Sequence, residues 1–384
     1  MKGGYYGTMY SRSTPISLNT NELVSLSPGN LSVLGCLSDD SCSVVYVSTT
    51  NVVVANVGKH HKATKVNSES LEMNTSGSFT EMGNSPTVLS FSTASMLQAK
   101  LVEVDGKGML VTLSDVCVSL NSLDSTKPMW KVPVQELIKS TGLSSGRAPP
   151  KAFARGCIQF QPDNGFMAIG LSNGFVVVVD LRNGDTLHAL QGWCSTSVNT
   201  PIVDVASPQS TRTTVDSYIA SVNENNEVLV FKKNGANLHE IALTGLLPGM
   251  TDLATCIACL DTAIIIGFLS GAIRICSASA GSIVYDIAAH GRCVTSVSPH
   301  PTSKERFSSC GEDQCLNVWG MPKAAMQPSA ASGRSGDQIE LLSHHSIENT
   351  MLTGSTWDSE GSLLTVGYDN DTLETFREAP ARKM

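Results

Sequence analysis

The sequence predicts an all-β protein, a single seven-bladed β-propeller spanning residues 1–384 and closed by an N-terminal strand. Two observations predict this fold. Short β-branched runs separated by turn residues recur along the chain, and longer units built from them repeat at the spacing of propeller blades. A length of 384 residues would hold two average domains, but it is also ordinary for one closed array of blades.

The local pattern is mostly that of β-strands. Runs such as Val44–Val47, Phe175–Leu181 and Ala263–Gly267 have the length of strands and end in Gly, Asn, Asp or Ser. Helical spacing is confined to Val134–Ser140, where we expect a turn or two of helix. No apolar run approaches the roughly 20 residues that a membrane-spanning helix needs, so we expect no membrane insertion.

A repeated unit favours a propeller over a sandwich or a barrel. Four segments share one order of strand, polar turn, strand, turn and strand. A spacing of about 40 to 50 residues with four strands per unit is typical of propeller blades. Two weaker units precede these segments and one follows, which makes seven. The third strands of the four clear units end 52, 45 and 43 residues apart, at Val179, Phe231, Cys276 and Trp319.

The expected blades cover approximately residues 31–85, 86–139, 151–190, 200–244, 251–288, 291–342 and 347–378. The last unit supplies three strands, and too few residues remain after it for a fourth. We therefore expect Glu22–Leu26 to complete the last blade, because this pairing removes an open sheet edge. Residues 59–85, 140–150 and 322–336 are polar or rich in Pro, Ala, Ser and Gly, and we expect them to be surface insertions.

The strongest side-chain pattern lies in the sixth unit and consists of His290, Ser309, Asp313 and Trp319. An aspartate can accept a hydrogen bond from an imidazole, and a serine hydroxyl can bridge the imidazole to an indole N–H. Buried polar groups between blades would then all have partners. The spacing resembles the structural tetrad of WD-repeat blades. We therefore expect a stabilising role, in preference to a metal-binding or catalytic one.

Other units keep this pattern in part, through Ser221, Asn225 and Phe231 in the fourth blade and Ile266, Ser270 and Cys276 in the fifth. Four further stretches, taken in order, resemble the family of WD repeat-containing protein 54. The resemblance runs from near residue 21 to Phe376. It implies an intracellular propeller that acts as an adaptor, with a cytoskeletal or ciliary association. The four stretches are Asn21–Gly35, Ala152–Gly156, Ala289–Arg292 and Val366–Asp369.

No pattern in the sequence indicates a cofactor or a metal site. Cys256 and Cys259 form a CxxC, but residues three apart on a strand point to opposite faces. The pairs His60–His61 and His344–His345 are expected to be solvated loop residues. Phosphate-binding, nucleophile-elbow and HExxH motifs are missing. We therefore expect a protein that is not an enzyme.

Charge and cysteine usage narrow the class of partner. The chain has 34 acidic and 26 basic residues, a formal charge of −8, and an aromatic content of only 5%. These values argue against nucleic acid as a partner. The eleven cysteines are odd in number and scattered, and the N-terminal residues lack a signal-peptide core. We expect a cytoplasmic location.

The sequence thus favours a non-enzymatic scaffold or adaptor for protein partners, monomeric within a complex. A permanent structural part of a cytoskeletal, ciliary or flagellar assembly is the alternative, followed by a propeller enzyme with its site in the central channel. Binding is expected on the face that carries the loops entering each blade, because loops on a rigid scaffold carry recognition. Trp, Tyr and Arg dominate interface energies. The candidate contact residues on this face are Arg155, Trp193, Arg292, Tyr368 and Asp369.

Overall fold

The computed structural model describes sixteen stretches of the chain, and for residues 87–90, 154–161, 232–234 and 237–243 it describes the backbone only. The stretches are residues 9–18, 23–37, 42–48, 51–57, 87–90, 96–123, 128–141, 154–161, 165–193, 200–208, 218–234, 237–243, 251–260, 263–278, 282–322 and 338–379.

The described strands form seven antiparallel sheets, which are the seven predicted blades. Two short N-terminal strands, β1 (Tyr10–Arg12) and β2 (Ile16–Ser17), come first. The first three blades are β3 (Ser32–Leu34), β4 (Ser43–Val47), β5 (Asn51–Asn56) and β6 (Thr87–Ser90); β7 (Met96–Val104), β8 (Lys107–Ser114), β9 (Cys117–Ser122) and β10 (Pro128–Pro133); and, after helix α1 (Val134–Ser140), β11 (Ala154–Gln161), β12 (Phe166–Leu171), β13 (Phe175–Asp180) and β14 (Thr186–Gln191).

The remaining blades follow the same order. They are β15 (Ile202–Ala206), β16 (Tyr218–Asn223), β17 (Val228–Asn234) and β18 (Asn237–Leu243); β19 (Ala254–Leu260), β20 (Ala263–Phe268), β21 (Ala272–Ser277) and β22 (Ile283–Ala288); β23 (Val294–Pro299), β24 (Arg306–Gly311), β25 (Cys315–Gly320) and β26 (Glu340–Ser346); and β27 (Leu352–Trp357), β28 (Leu363–Gly367) and β29 (Thr372–Glu378).

The first strand of each blade lies at the centre of the ring. These inner strands contact one another in sequence from β3 to β27, and β27 contacts β3, which closes the ring. The inner strands β7, β11, β15, β19, β23 and β27 also share a local irregularity, a register shift within their first few residues. A bulge at this position bends and twists the strand. Its recurrence shows that the repeat extends to the backbone of individual strands.

The core lies between neighbouring blades, which explains why the middle strands are continuously apolar. In β20, Ile264 and Ile266 pack toward the fourth blade, whereas Ala263 and Ile265 pack toward the sixth. Both faces of such a strand are buried, so alternation with polar residues is lost. The outer strand β22 is half exposed and does alternate in burial.

The N-terminal segment closes the last blade, but the predicted closing strand Glu22–Leu26 is wrong. β1 and β2 pair with β29 instead, and residues 23–26 are not in a strand. The reason is geometric. The chain must travel from the outer edge of the last blade to the inner strand β3, and residues 23–31 make that crossing. They follow the turn after β28, where the Asp369 N–H donates to the Val24 carbonyl oxygen at 3.2 Å.

Two expected blade boundaries are also corrected. β6 (Thr87–Ser90) pairs with β5 and so belongs to the first blade, where the sequence had placed Thr87 in the second. β26 continues to Ser346, beyond the expected end at residue 342. Helix α1 occupies the predicted residues. Of the expected insertions, residues 59–85, 142–150 and 323–336 lie outside the described residues. Ser140 and Thr141 form the end of helix α1. No helix in the described stretches is long and apolar enough to cross a membrane.

Candidate protein-binding face

The four predicted tetrad residues meet between the fifth and sixth blades. The His290 Nδ1 lies 3.0 Å from an Asp313 carboxylate oxygen, and its Nε2 lies 2.8 Å from the Ser309 Oγ. The Trp319 Nε1–H donates to the same Ser309 Oγ at 2.9 Å. Since the indole can only donate, one consistent assignment has the Ser309 hydroxyl donating to Nε2 and His290 donating from Nδ1 to Asp313. Each buried polar group then has a partner.

Asp313 accepts several hydrogen bonds at once. The N–H groups of Gly291 and Cys315 donate to it at 2.8 and 3.2 Å, in addition to His290. Burial alone would raise the pKa of this carboxyl, but the donors, with His290 the strongest, lower it below its ordinary value. The carboxylate is therefore held in its charged form and ties the loop before β23 to the turn after β24.

A Ser–His–Asp arrangement also invites comparison with hydrolase triads. In such triads the serine Oγ must reach a substrate carbonyl. The Ser309 side chain is fully buried, and its oxygen is already engaged by Trp319. The geometry therefore fits a structural role for the four residues. That role is a prediction, which the stability of Asp313 variants can test.

The partial tetrads are rearranged in the neighbouring blades. In the fourth blade the buried Ser221 Oγ has no hydrogen-bond partner among the described residues. Phe231 stands in place of the tryptophan, and its ring has no N–H to donate. In the fifth blade the carboxylate comes from the loop, because Asp252 accepts from the Ser270 N–H at 3.0 Å and from its hydroxyl. In the fifth blade, as in the sixth, a hydrogen bond thus connects the entering loop to the turn between the second and third strands, but different residues form it.

The two cysteines of the CxxC face opposite sides of their strand. Cys256 packs toward the sixth blade and Cys259 toward the fourth, as their spacing on a strand predicted. Burial raises the pKa of Cys259 to about 12, so the thiol stays protonated. His344 and His345 lie in β26, which corrects their expected loop position, and His60 and His61 lie outside the described residues. In the described stretches no three His, Cys, Asp or Glu residues are arranged to hold a metal ion.

We define the front face as the face on which the inner strands begin. It carries the loops that enter each blade and the turns between the second and third strands. Arg292, Tyr368 and Asp369 lie there and are exposed. Trp193 also lies there, but it is only 6% exposed and stacks edge-on against Phe175. The sequence named Trp193 as a candidate contact residue, but its buried indole is not available at the surface.

Trp193 is buried because its ring packs against the turn before β13. The nearest atoms to a Cβ built on Gly174 would be those of the Trp193 ring at 2.7 Å, so only glycine leaves room for the indole. Arg155 lies in β11, and its side chain is outside what the structure describes.

The front face carries further apolar residues that the sequence analysis missed. They are large side chains between 39% and 53% exposed, and each stands in a turn or loop where a polar residue is usual. These residues could have been identified from the sequence, because the blade pattern located the turns and an apolar residue in a turn is unusual. With Tyr368, these residues are Leu23, Leu26, Val116, Leu253 and Leu269.

Charge is also unevenly placed. Among the described side chains in the loops and turns of the front face and in helix α1, the basic residues are Lys139 and Arg292, and acidic residues are more numerous. The back face mixes both signs, with Lys107, Arg182, Lys304 and Arg306 beside acidic neighbours. The acidic residues of the front face are Asp115, Glu136, Glu224, Glu227, Asp252, Glu312, Asp313, Glu348, Asp369 and Asp371.

The inner strands surround a cavity of about 780 Å³, the central channel. Lys100 from β7 and Asp204 from β15 line it, and Asp204 accepts from the N–H groups of Val205 and Ile257 at 2.8 and 2.9 Å. Burial raises the pKa of Asp204 to about 6 and lowers the pKa of Lys100. The segment Ser27–Gly29 lies at the front mouth of the channel, where the Gly29 N–H donates to the Thr295 oxygen at 2.9 Å.

Solved structures show the same fold. A chain of the crystal structure of the mitotic checkpoint complex superposes with a TM-score of 0.63 at 14% sequence identity, over 98% of this chain and 94% of that chain. The WD40 β-propeller domain of Doa1 gives a TM-score of 0.58 at 13% identity, over 98% of this chain and 99% of that one. At such low identity the likeness concerns the fold alone.

Sequence comparison is more specific about the family. No curated protein sequence matches the chain significantly. The family model described as WDR54 matches residues 115–378, which is well over half of the chain and runs from the second blade to the last. On this match, together with the seven-bladed WD40 architecture, the chain belongs to the WDR54 family of WD-repeat β-propellers.

Proposed function

We propose that this chain is a non-enzymatic scaffold that binds protein partners on its front face. WD-repeat propellers commonly act as protein-interaction scaffolds. One observation supports the front face as the binding surface. Among the described residues, every strongly exposed large apolar side chain outside the strands lies on the front face. The others, such as Leu187 and Leu341, lie on outer strands at the rim.

Exposed apolar groups gain free energy when a partner covers them, at roughly 25 cal/mol per Å² of apolar surface buried. Their concentration on one face therefore favours that face for binding. The surface is also ordered in advance. The Leu269 N–H donates to the Leu253 oxygen at 2.8 Å, and Asp252 holds the adjacent Ser270. Less conformational entropy is then lost on binding.

The experiment compares two double variants of the full chain. Leu253→Glu with Leu269→Glu places charge on the front face, and Leu187→Glu with Leu341→Glu makes the same change at the rim. Each chain is tagged in its native cell, and its neighbours are identified by proximity labelling and quantified. Loss of a central apolar contact can cost about 2 kcal/mol or more, and the new carboxylates would also lose hydration on binding. We therefore expect the front-face variant to lose most of its neighbours. The rim variant should keep them.

Two results would overturn the proposal. The front-face variant, shown to melt like wild type, could retain every neighbour, or the rim variant could be the one that loses them.

Arg292→Ala and Tyr368→Ala extend the test to the contact residues predicted from sequence. Catalytic inactivity, cytoplasmic residence and membership in a cytoskeletal or ciliary assembly stay predictions. The neighbours recovered from the wild-type chain test the last two.

A further inference from the structure

We propose that the partner reaches the front face with one linear segment, apolar and net basic, that lies across the mouth of the central channel. This inference rests on the proposed function and names the chemistry of the partner. Two apolar clusters, the charges around them and the ordered backbone beneath them support it.

The two apolar clusters lie at opposite parts of the ring and both adjoin the channel. In the fifth blade, Leu253 lines the channel and Leu269 is bonded to it through the backbone. At the closure of the ring, Leu26 immediately precedes Ser27, which also lines the channel. A segment lying across the mouth would therefore contact both clusters.

The closure cluster consists of Leu23, Leu26 and Tyr368, which come from two parts of the chain. Leu23 and Leu26 flank Val24, whose N–H donates to the Asn370 oxygen at 3.4 Å and whose oxygen accepts from the Asp369 N–H. This pairing brings Tyr368 and Asp369 beside the two leucines. The segment that was expected to close the blade thus supplies half of an apolar surface.

Charge determines what kind of segment fits. Glu224 stands at the channel mouth, and Asp369 and Asp371 stand beside the closure cluster. Arg292 and Lys139 are the described basic residues of this face. Lysine or arginine on a partner would meet complementary charge, whereas an acidic segment, a nucleic acid or an anionic membrane would be repelled.

The backbone beneath the clusters is held firmly. The Asn30 side chain donates to the Val47 oxygen at 2.8 Å and accepts from the Val47 N–H at 2.6 Å, and both bonds are buried. The crossing segment is thereby fixed to the first blade. A preformed surface of this kind suits the capture of a short linear segment, whose own ordering already costs free energy.

The experiment selects peptides of about a dozen residues from a random displayed library on the purified full chain. The selected peptides are then synthesised and titrated against two double variants. Glu224→Gln with Asp369→Asn removes front-face charge, and Glu103→Gln with Asp105→Asn makes the same change on the back face. The control is closely matched, because Asp369 and Asp105 both have a positive φ, 58° and 50°. Asparagine accepts such backbone angles.

We expect peptides that combine apolar residues with net positive charge. Because two exposed charge pairs are worth about 0.5 kcal/mol each, the front-face variant should bind them about fivefold more weakly and with less dependence on salt. The back-face variant should bind like wild type. Failure to select any peptide, selection of neutral or acidic peptides, or equal binding by both variants would overturn the inference. Loss of cellular neighbours from the Leu253→Glu, Leu269→Glu chain would still support the proposed function in each of these cases.

Discussion

Asp313 shows how one residue can connect two segments of the ring. Its carboxylate accepts from the imidazole of His290 and from two backbone N–H groups, and the imidazole leads through Ser309 to Trp319. The spacing of the four residues was visible in the sequence because each stands at a fixed position of the repeat. Their burial was not visible, since it depends on the blade that packs alongside.

We predict that Asp313→Ala lowers the free energy of unfolding by roughly 1 to 3 kcal/mol, because a buried imidazole loses its acceptor. Asp313→Asn should cost less, since its amide oxygen can still accept from His290. Urea denaturation of the three chains measures both changes, and partner binding of the folded protein should not change. A variant of native stability that fails to bind would assign these residues to recognition.

Asp204 carries a second prediction, one that depends on pH. Burial raises its pKa from 3.8 to about 6 in the folded chain. The proton is therefore bound more tightly in the folded state, and its stabilising effect is complete below about pH 4 and is lost as the pH rises through about 6. Above that range the wild-type chain retains an ionised carboxylate at a cost in stability.

Asp204→Asn cannot ionise. Val205 and Ile257 donate to different oxygens of the wild-type carboxylate, so the amide oxygen can accept from only one of them, and the cost of the lost hydrogen bond does not vary with pH. The stability of the variant relative to wild type should rise between about pH 4 and 6 and then level off. The gain should stay under about 3 kcal/mol, since each pKa unit corresponds to about 1.4 kcal/mol and the attraction to Lys100 is lost. Melting temperatures across this range measure the difference. A difference that is constant with pH would contradict the prediction.

Trp193 illustrates where sequence reasoning fails at this scale. A large side chain in a loop is a reasonable contact candidate, but its exposure depends on tertiary packing. Here Gly174 leaves a space that the indole fills. By contrast, Leu253 and Leu269 could have been found from the sequence, because they stand in turns that the blade pattern had already located.

At the level of secondary structure, the sequence correctly predicted that an N-terminal strand closes the ring, but it predicted the wrong residues for that strand. An N-terminal strand does complete the last blade, because β1 and β2 pair with β29. Counting residues could not distinguish Tyr10–Arg12 from Glu22–Leu26. The difference depends on packing, since the Tyr10 ring is fully buried at 5.5 Å from the Trp357 ring, in a cluster with Phe376.

We predict that Tyr10→Ala lowers the free energy of unfolding by about 3 kcal/mol, through the loss of a buried aromatic ring. Two matched changes serve as controls. Tyr10→Phe keeps the ring, and Ser11→Ala alters an exposed residue of the same strand, so both should stay close to wild type. If all three chains unfold at the same denaturant concentration, β1 does not contribute to closure.

The molecule as a whole has two unlike faces. The repeat places every turn between the second and third strands on the front face. Turn residues from separate blades therefore share one surface. Leucines and acidic residues from different blades meet there around the channel mouth, although they are far apart in sequence. The fold class and the strands of the clear repeats followed from local pattern. The binding surface needed the ring to be assembled.

The most direct test of the front-face assignment is hydrogen–deuterium exchange. The tagged chain is purified from its native cell together with its bound partner, and its amide exchange is compared with that of the free chain. We expect slower exchange in the complex over residues 23–31, 251–253, 268–271 and 368–371, and unchanged exchange in the back-face turns at 105–106 and 181–185. Protection confined to those back-face turns, or to the outer strands, would contradict it.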